Sequence, residues 1–332
     1  MKEENYKNAF LLHSRLIEKE KDRRIKLIKA ILKGDEETIR KLSRYEELDL
    51  NERIIVVATQ IIEASIDLDF DAMITEISPI DSQIQRWGRV YRNRDGEHYE
   101  DEKPNIVIFS GGIEDGKLKI DKGTRSIYDV RVIEKTFETL KEYEDNNKIL
   151  NYDEERKMVE DVFNRQIENN IKLKDYYVDQ IKKNLEFLKY FTVEKKSQAQ
   201  RLFRRIAGIQ IVIPEIMKHF GDDWERKFAE IVEDADSSKK TWDEIVNKLK
   251  DFLPKDMDKA EAKWWFKKIL YEYSVNTPIF YWEDGRLLDL RTHQFKDFQV
   301  LKLSKEHAEK VYQYGIDEIF RMEEDVGEVL MF

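Results

Sequence analysis

The sequence has no cysteine, only five prolines and twelve glycines among its 332 residues, and no apolar run near the ~20 residues a membrane helix needs. Without thiols there are no disulfides and no thiolate metal sites, which fits a reducing cytoplasm. The N-terminus, MKEENYKNAF, carries no signal-peptide core, and no membrane partner is expected. A basic excess is also lacking. Lysine and arginine number 59 against 69 acidic residues, a net charge of −10, which argues against non-specific coating of duplex DNA. A local basic groove stays compatible with that total, because the field depends on where charges sit. Hydrophobic residues make up 41% and charged ones 39%, enough apolar material for about two buried cores at this length.

Several chemistries are missing as well. No G-x-x-x-x-G-K-[ST] phosphate loop occurs. Gly111 to Lys117 matches G-x-x-x-x-G-K, but Leu118 stands where a magnesium-holding hydroxyl is required. Ser110 to Gly116 therefore reads as a plain loop, and the following KIDKGT is not read as opening a helix. There is no D-E-x-H acidic box. The five histidines, His13, His98, His219, His293 and His307, are scattered and none precedes an aspartate, so no metal-dependent HD nuclease site is expected.

The first ~110 residues alternate short apolar runs with helical patterns, the signature of a parallel sheet with crossover helices. Strands are predicted at Ala9–Leu12, Ile54–Ala58, Ala72–Thr75 and Ile106–Phe109. A helix over Leu16–Leu32 ends at Gly34, a residue suited to the left-handed position after a helix. A second, capped by Asp81 or Ser82 after Pro79, runs to about Arg92. From Thr124 to Phe191 the pattern is helical, with Tyr177, Ile181, Leu185 and Leu188 forming one stripe. Gly208 closes a helix before the strand-like IQIVIPE. TPIFYWEDGRLLDL reads as two strands around an Asp284–Gly285 turn, and a last helix covers Lys305–Phe320.

Most information lies in VATQIIEASIDLDFD (57–71) and SPIDSQIQRWGRVYR (78–92). Gln85, Arg89 and Arg92 are spaced i, i+4, i+7, so on a helix they share an arc of roughly 60°. An amide and two guanidiniums on one face make a receptor for phosphate oxygens. Taken alone, QxxGRxxR is equally compatible with a surface helix whose arginines pair with carboxylates of the same chain. The context decides between them. QRxGRxxR resembles motif VI of superfamily 2 helicases, and A-T-Q-x-x-E-x-S-x-D-x-D-F-D resembles their motif V. With P-I-D-S-x-I-Q-R, the pattern is most similar to the CRISPR type I helicase–nuclease family. Leu11-Leu12-His13-Ser14-Arg15 resembles that family's motif IV.

The resemblance implies an α/β fold. Residues 1–115 would form the second RecA-like helicase lobe, lacking its first strand. A helical linker over 116–195 and a smaller mixed α+β accessory domain over 196–332 would follow. A sheet short of that element would expose an unpaired edge, or be completed by another polypeptide. Gln85, Arg89 and Arg92 would face the γ-phosphate of ATP, the arginines acting as fingers on developing charge. Asp67, Glu63 and Arg86 would contact nucleotide or couple the lobes. Ser14, Arg15, Thr59 and Gln60 would grip the phosphates of single-stranded DNA. ATP and magnesium would be shared with a first lobe absent from this chain, and none is held by the chain alone. The implied partners are the N-terminal helicase–nuclease half and a CRISPR effector complex. A non-catalytic binding or regulatory subunit, or half of another superfamily 2 helicase, stands as the alternative.

Lys263-Trp-Trp-Phe-Lys-Lys268 interleaves aromatic and basic residues, as single-strand binders do. Adjacent tryptophans on a helix point about 100° apart, so at least one is expected in the core. Arg201, Arg204 and Arg205 form a short basic patch, read either as channel lining or as ordinary ion pairs.

Overall fold

The computed structural model describes residues 8–43, 48–63, 66–92, 104–114, 117–144, 150–190, 208–237, 242–249, 257–278, 287–289 and 298–319. The chain divides into two compact units, one formed by Met1–Ile61 with Ala207–Phe332 and the other by Ile62–Ile206.

In the first unit, β1 (Ala9–Leu12) and β2 (Ile55–Ala58) pair in parallel, Ala9 opposite Ile55 and Leu12 opposite Ala58. Between them run α1 (Glu18–Lys33) and α2 (Glu36–Leu42). Gly34 ends α1 at φ 68, its N–H donating to the carbonyls of Ala30 and Ile31, which is the left-handed stop expected there. Asp35 caps α2 by accepting the Thr38 N–H.

The second unit holds another parallel pair, β3 (Met73–Glu76) and β4 (Ile106–Phe109), joined through α3 (Ile80–Trp87). Here α3 departs from expectation. Its N-cap is Pro79, neither Asp81 nor Ser82, and it stops at Trp87 with Gly88 as C-cap, well short of Arg92. Segment 110–119 departs too. Part of it is an antiparallel pair of β5 (Gly112–Glu114) and β6 (Lys117–Lys119). KIDKGT does open a helix, α4 (Lys122–Ile127), because the Asp121 carboxylate accepts the Thr124 N–H and hydroxyl. The helical stretch follows as α5 (Val130–Glu144), α6 (Tyr152–Asn164) and α7 (Leu173–Tyr190), α6 opening with an Asn151–Glu154 capping box. Ile80, Trp87, Val132, Met158, Val162 and Leu173 form this unit's core. The predicted α7 stripe reaches it only at its start. Tyr177 packs there while Ile181 and Leu185 stay about half exposed, since α7 (18 residues) outruns α6 (13 residues).

Returning to the first unit, IQIVIPE forms β7 (Gly208–Val212), and Pro214 starts α8 (Pro214–Phe220). Then come α9 (Asp223–Ser237), α10 (Trp242–Leu249), α11 (Lys259–Glu272), β8 (Ser274–Pro278), β9 (Leu287–Asp289), β10 (Phe298–Leu301) and α12 (Lys305–Tyr314). The sheet order is β8-β7-β10-β9. β8 and β9 are therefore at opposite edges, not a hairpin, because β7 and β10 take the central places through a parallel pairing. The Asp284–Gly285 turn and the helix expected before Gly208, with Arg201, Arg204 and Arg205, lie outside the described residues. Ile211, Val212, Phe228, Phe266, Tyr273 and Val300 centre the core.

Candidate functional site

Motifs V and VI meet in the second unit. Because α3 ends at Trp87, Arg89 and Arg92 are not brought to Gln85 by helical periodicity. The chain instead turns back after Gly88. Phe70 N–H donates to Arg89 O (2.8 Å) and Tyr91 N–H to Phe70 O (3.1 Å), a parallel bridge that forces Tyr91 to φ 53. The Arg92 N–H donates to Asp69 Oδ1 at 3.1 Å. This lacing lays residues 89–92 along 67–70.

The three arginines of RWGRVYR then part ways. Arg86 turns inward, with only 11% of its side chain exposed. Its Nε and Nη2 reach Glu63 Oε1 at 2.8 and 2.7 Å. Its Nη1 donates to Thr75 Oγ1 and Glu76 O, and Nη2 also to the Tyr128 hydroxyl. The Ser82 hydroxyl donates to Glu63 Oε2, so one carboxylate ties motif V to α3. Arg89 is half-buried, its Nε and Nη2 donating to the carbonyls of Ile62 (3.2 Å) and Glu63 (3.3 Å). Burial and then the nearby Arg92 charge lower its pKa, partly countered by Asp67. Arg92 is exposed, 3.4 Å from Asp67 Oδ1. Gln85 is exposed on the last turn of α3. The arrangement offers two guanidiniums close enough to repel, beside one exposed carboxylate. An anion inserted there would relieve the repulsion.

The residues expected to grip a strand lie in the first unit. Ser14 and Thr59 are exposed and Gln60 is half-buried. Arg15 is engaged within the protein, by Asn276 O (3.3 Å) and Asp317 (3.9 Å). His13 serves structure. One ring nitrogen accepts the Arg15 N–H, the other meets Tyr314 O at 3.0 Å, and burial lowers its pKa. The tryptophan pair is resolved: Trp265 packs with Trp224 and Phe228, whereas Trp264 is 66% exposed with Lys268 Nζ over its ring.

Residues 1–95 match the family described as CRISPR-associated nuclease/helicase Cas3, C-terminal. A CRISPR-associated nuclease/helicase Cas3 from Methanothermobacter thermautotrophicus is 40% identical over 94% of this chain. A T. fusca Cas3 crystal structure with ATP superposes at TM-score 0.50 and 14% identity, covering 89% of this chain and 32% of that one. A CRISPR RNA-guided surveillance complex in a pre-nicking state superposes at TM-score 0.53 and 15% identity, covering 90% of this chain and 34% of that one. The chain corresponds to a C-terminal part of a Cas3 helicase. It spans 34% of the length of the Methanothermobacter Cas3. The structural likenesses, at these identities, show an α/β fold.

Three residues of the candidate site escaped sequence reading. Thr75 and Tyr128 complete the Arg86 cage, and Tyr128 sits 42 positions beyond Arg86 with no local signal. Asp69, which holds the Arg92 backbone, was legible only as part of the alternating D-L-D-F-D run.

Proposed function

We propose that this chain is the RecA-like second motor lobe and accessory domain of a type I CRISPR helicase that moves along single-stranded DNA by ATP hydrolysis. The observation carrying the reading is the convergence of Arg89 and Arg92 beside Asp67, with Gln85 exposed on the neighbouring helix turn. ATP and magnesium are held by a first lobe on the N-terminal portion. Arg89 and Arg92 then meet the γ-phosphate as fingers, a contribution worth ~10³–10⁵ in rate in nucleotide hydrolases. Glu63 and Arg86 set the position of that loop rather than touching nucleotide. Ser14, Thr59 and Gln60 contact strand phosphates. The likeness to a surveillance complex supports docking on a CRISPR effector complex.

The test is DNA-stimulated ATPase of the chain mixed with a matching N-terminal Cas3 portion, with each alone as control. Activity is expected only in the mixture, and Arg89→Ala or Arg92→Ala should abolish it while the fold persists. The missing phosphate loop favours a second reading, a binding or regulatory subunit. Arginine variants that change nothing, in a mixture whose components bind, would establish it. ATPase from the chain alone would sink both.

A further inference from the structure

The turn after β1 is held from two directions. Leu16 N–H donates to His13 O at 3.3 Å, which folds residues 13–16 back with Ser14 in the middle. The other bonds come from the far end of the same unit. Ile316 N–H donates to Arg15 O (3.0 Å), and Arg15 Nη1 donates to Asn276 O (3.3 Å). Arg24 joins Leu11 O (3.0 Å) to Gln313 O (2.6 Å). His13 sits at the centre of this seam. Its ring lies where a side chain at position 315 would go: a Cβ on Gly315, which has φ +95, would meet His13 Cε1 at 2.5 Å.

Both ring nitrogens are engaged, and their partners fix the state of the ring. The Arg15 N–H, 3.2 Å from Nδ1, can only donate, so Nδ1 carries no proton. Tyr314 O, 3.0 Å from Nε2, can only accept, so Nε2 carries one. The ring is therefore a neutral, single tautomer that bridges 301 positions of sequence. A proton added at Nδ1 would set donor against donor. Burial favours the neutral form by lowering the pKa; Tyr314 O and Asp317 oppose that, and the Arg24 and Arg15 charges add to it.

We propose that His13 is a positioning residue: as a neutral ring protonated on Nε2, it fastens the turn carrying Ser14 to the segment Tyr314–Ile316, so that the C-terminal region sets where this turn stands for a DNA strand. The role deepens the motor reading and rests on its contact between Ser14 and strand phosphates.

The test uses the full chain, isotope-labelled on its histidine nitrogens, with His13→Asn and His13→Gln. Asparagine keeps an acceptor oxygen for the turn but does not reach Tyr314 O; glutamine keeps a donor for Tyr314 O but offers the turn no acceptor. NMR at neutral pH should show His13, the ring missing from both variants, as the Nε2–H tautomer. Residue-resolved hydrogen exchange should find the Arg15 amide protected in the unsubstituted chain and in His13→Asn, and fast in His13→Gln. Binding of a fluorescent oligothymidylate is then read at a temperature where circular dichroism shows every variant folded. Each variant should bind about five-fold more weakly, the equivalent of one hydrogen bond. The unsubstituted chain should also lose affinity, relative to His13→Asn, as pH falls through the pKa of the ring, a step that packing alone would not produce. A ring protonated on Nδ1 at neutral pH overturns the proposal, and so does either variant binding as tightly as the unsubstituted chain. The stated tautomer and exchange pattern in a chain that binds no oligonucleotide would uphold the fastening and defeat the strand reading of Ser14.

Discussion

Glu63→Gln is the sharpest perturbation of the motif V–VI junction. The substitution keeps the side chain's shape and one acceptor oxygen but removes the charge facing Arg86. In the native unit the two side chains are 15% and 11% exposed, and the contact is two-pronged at 2.8 and 2.7 Å. A guanidinium left in that setting keeps three neutral acceptors, Thr75 Oγ1, Glu76 O and the Tyr128 hydroxyl. Breaking a buried ion pair by removing one partner costs about 3–5 kcal/mol. With those acceptors retained and some solvent reaching the carboxylate, the expected loss is about 2–3 kcal/mol. Replacing both partners by apolar residues, Glu63→Leu with Arg86→Met, should cost less than Glu63→Gln alone, because no uncompensated charge then remains.

Trp87 makes the measurement specific. It is the one tryptophan between residues 62 and 206, it is 5% exposed, and its indole N–H donates to Glu155 at 3.0 Å. Urea unfolding followed by Trp87 emission, with the tryptophans outside 62–206 changed to phenylalanine, reads the second unit alone. A loss below ~1 kcal/mol, the range of exposed pairs, would refute the reasoning and show the Arg86 cage to be screened by solvent.

Two further outcomes concern the first unit. Gly315→Ala should destabilise it by about 1–3 kcal/mol in thermal melting. Gly315 has φ +95, and an added Cβ would lie 2.5 Å from His13 Cε1 and 2.8 Å from Arg15 O, the latter accepting the Ile316 N–H; unchanged melting would mean the junction relaxes freely. Glu20 predicts an acid sensitivity. Burial would raise its pKa, but hydrogen bonds and charge from Arg23 and Arg24 hold it below the ordinary value. A depressed folded-state pKa gives stability that is present above the unfolded value and lost as pH falls through the folded one. Glu20→Gln should therefore flatten the acid limb of a stability–pH curve below about pH 4.5, and an unchanged limb would count against the Arg23–Glu20–Arg24 cluster as its source.

The parts legible in the sequence are those decided locally. IVVA and IVIF are β-branched runs that become strands within a residue of their expected bounds, and Gly34 stops α1 where a residue lacking Cβ is needed. Features set by distant partners were not legible. The Asp284–Gly285 signal implied neighbours, yet β8 and β9 flank a sheet whose centre, β7 and β10, comes from segments some ninety residues apart in numbering. The spacing of Trp264 and Trp265 required one of them inside, and only the positions of Trp224 and Phe228 select Trp265.

The candidate site shows the same division at finer grain. Residue types in QRWGRVYR are compatible with an anion receptor, but the continuous helical face expected through Arg92 is absent, because α3 ends at Trp87. Gly88 ends the helix at φ −63, without a left-handed signature, and the turn that follows depends on the Phe70–Val90 bridge, 20 residues apart. Periodicity cannot register such a bridge. Its consequence is geometric: a continuous helix would have fixed Arg89 and Arg92 rigidly to α3, whereas here both sit on a short arch held by the carbonyls of Ile62 and Glu63 and by Asp69. Under the proposed motor reading, a shift of residues 62–69 would therefore carry the two arginines with it.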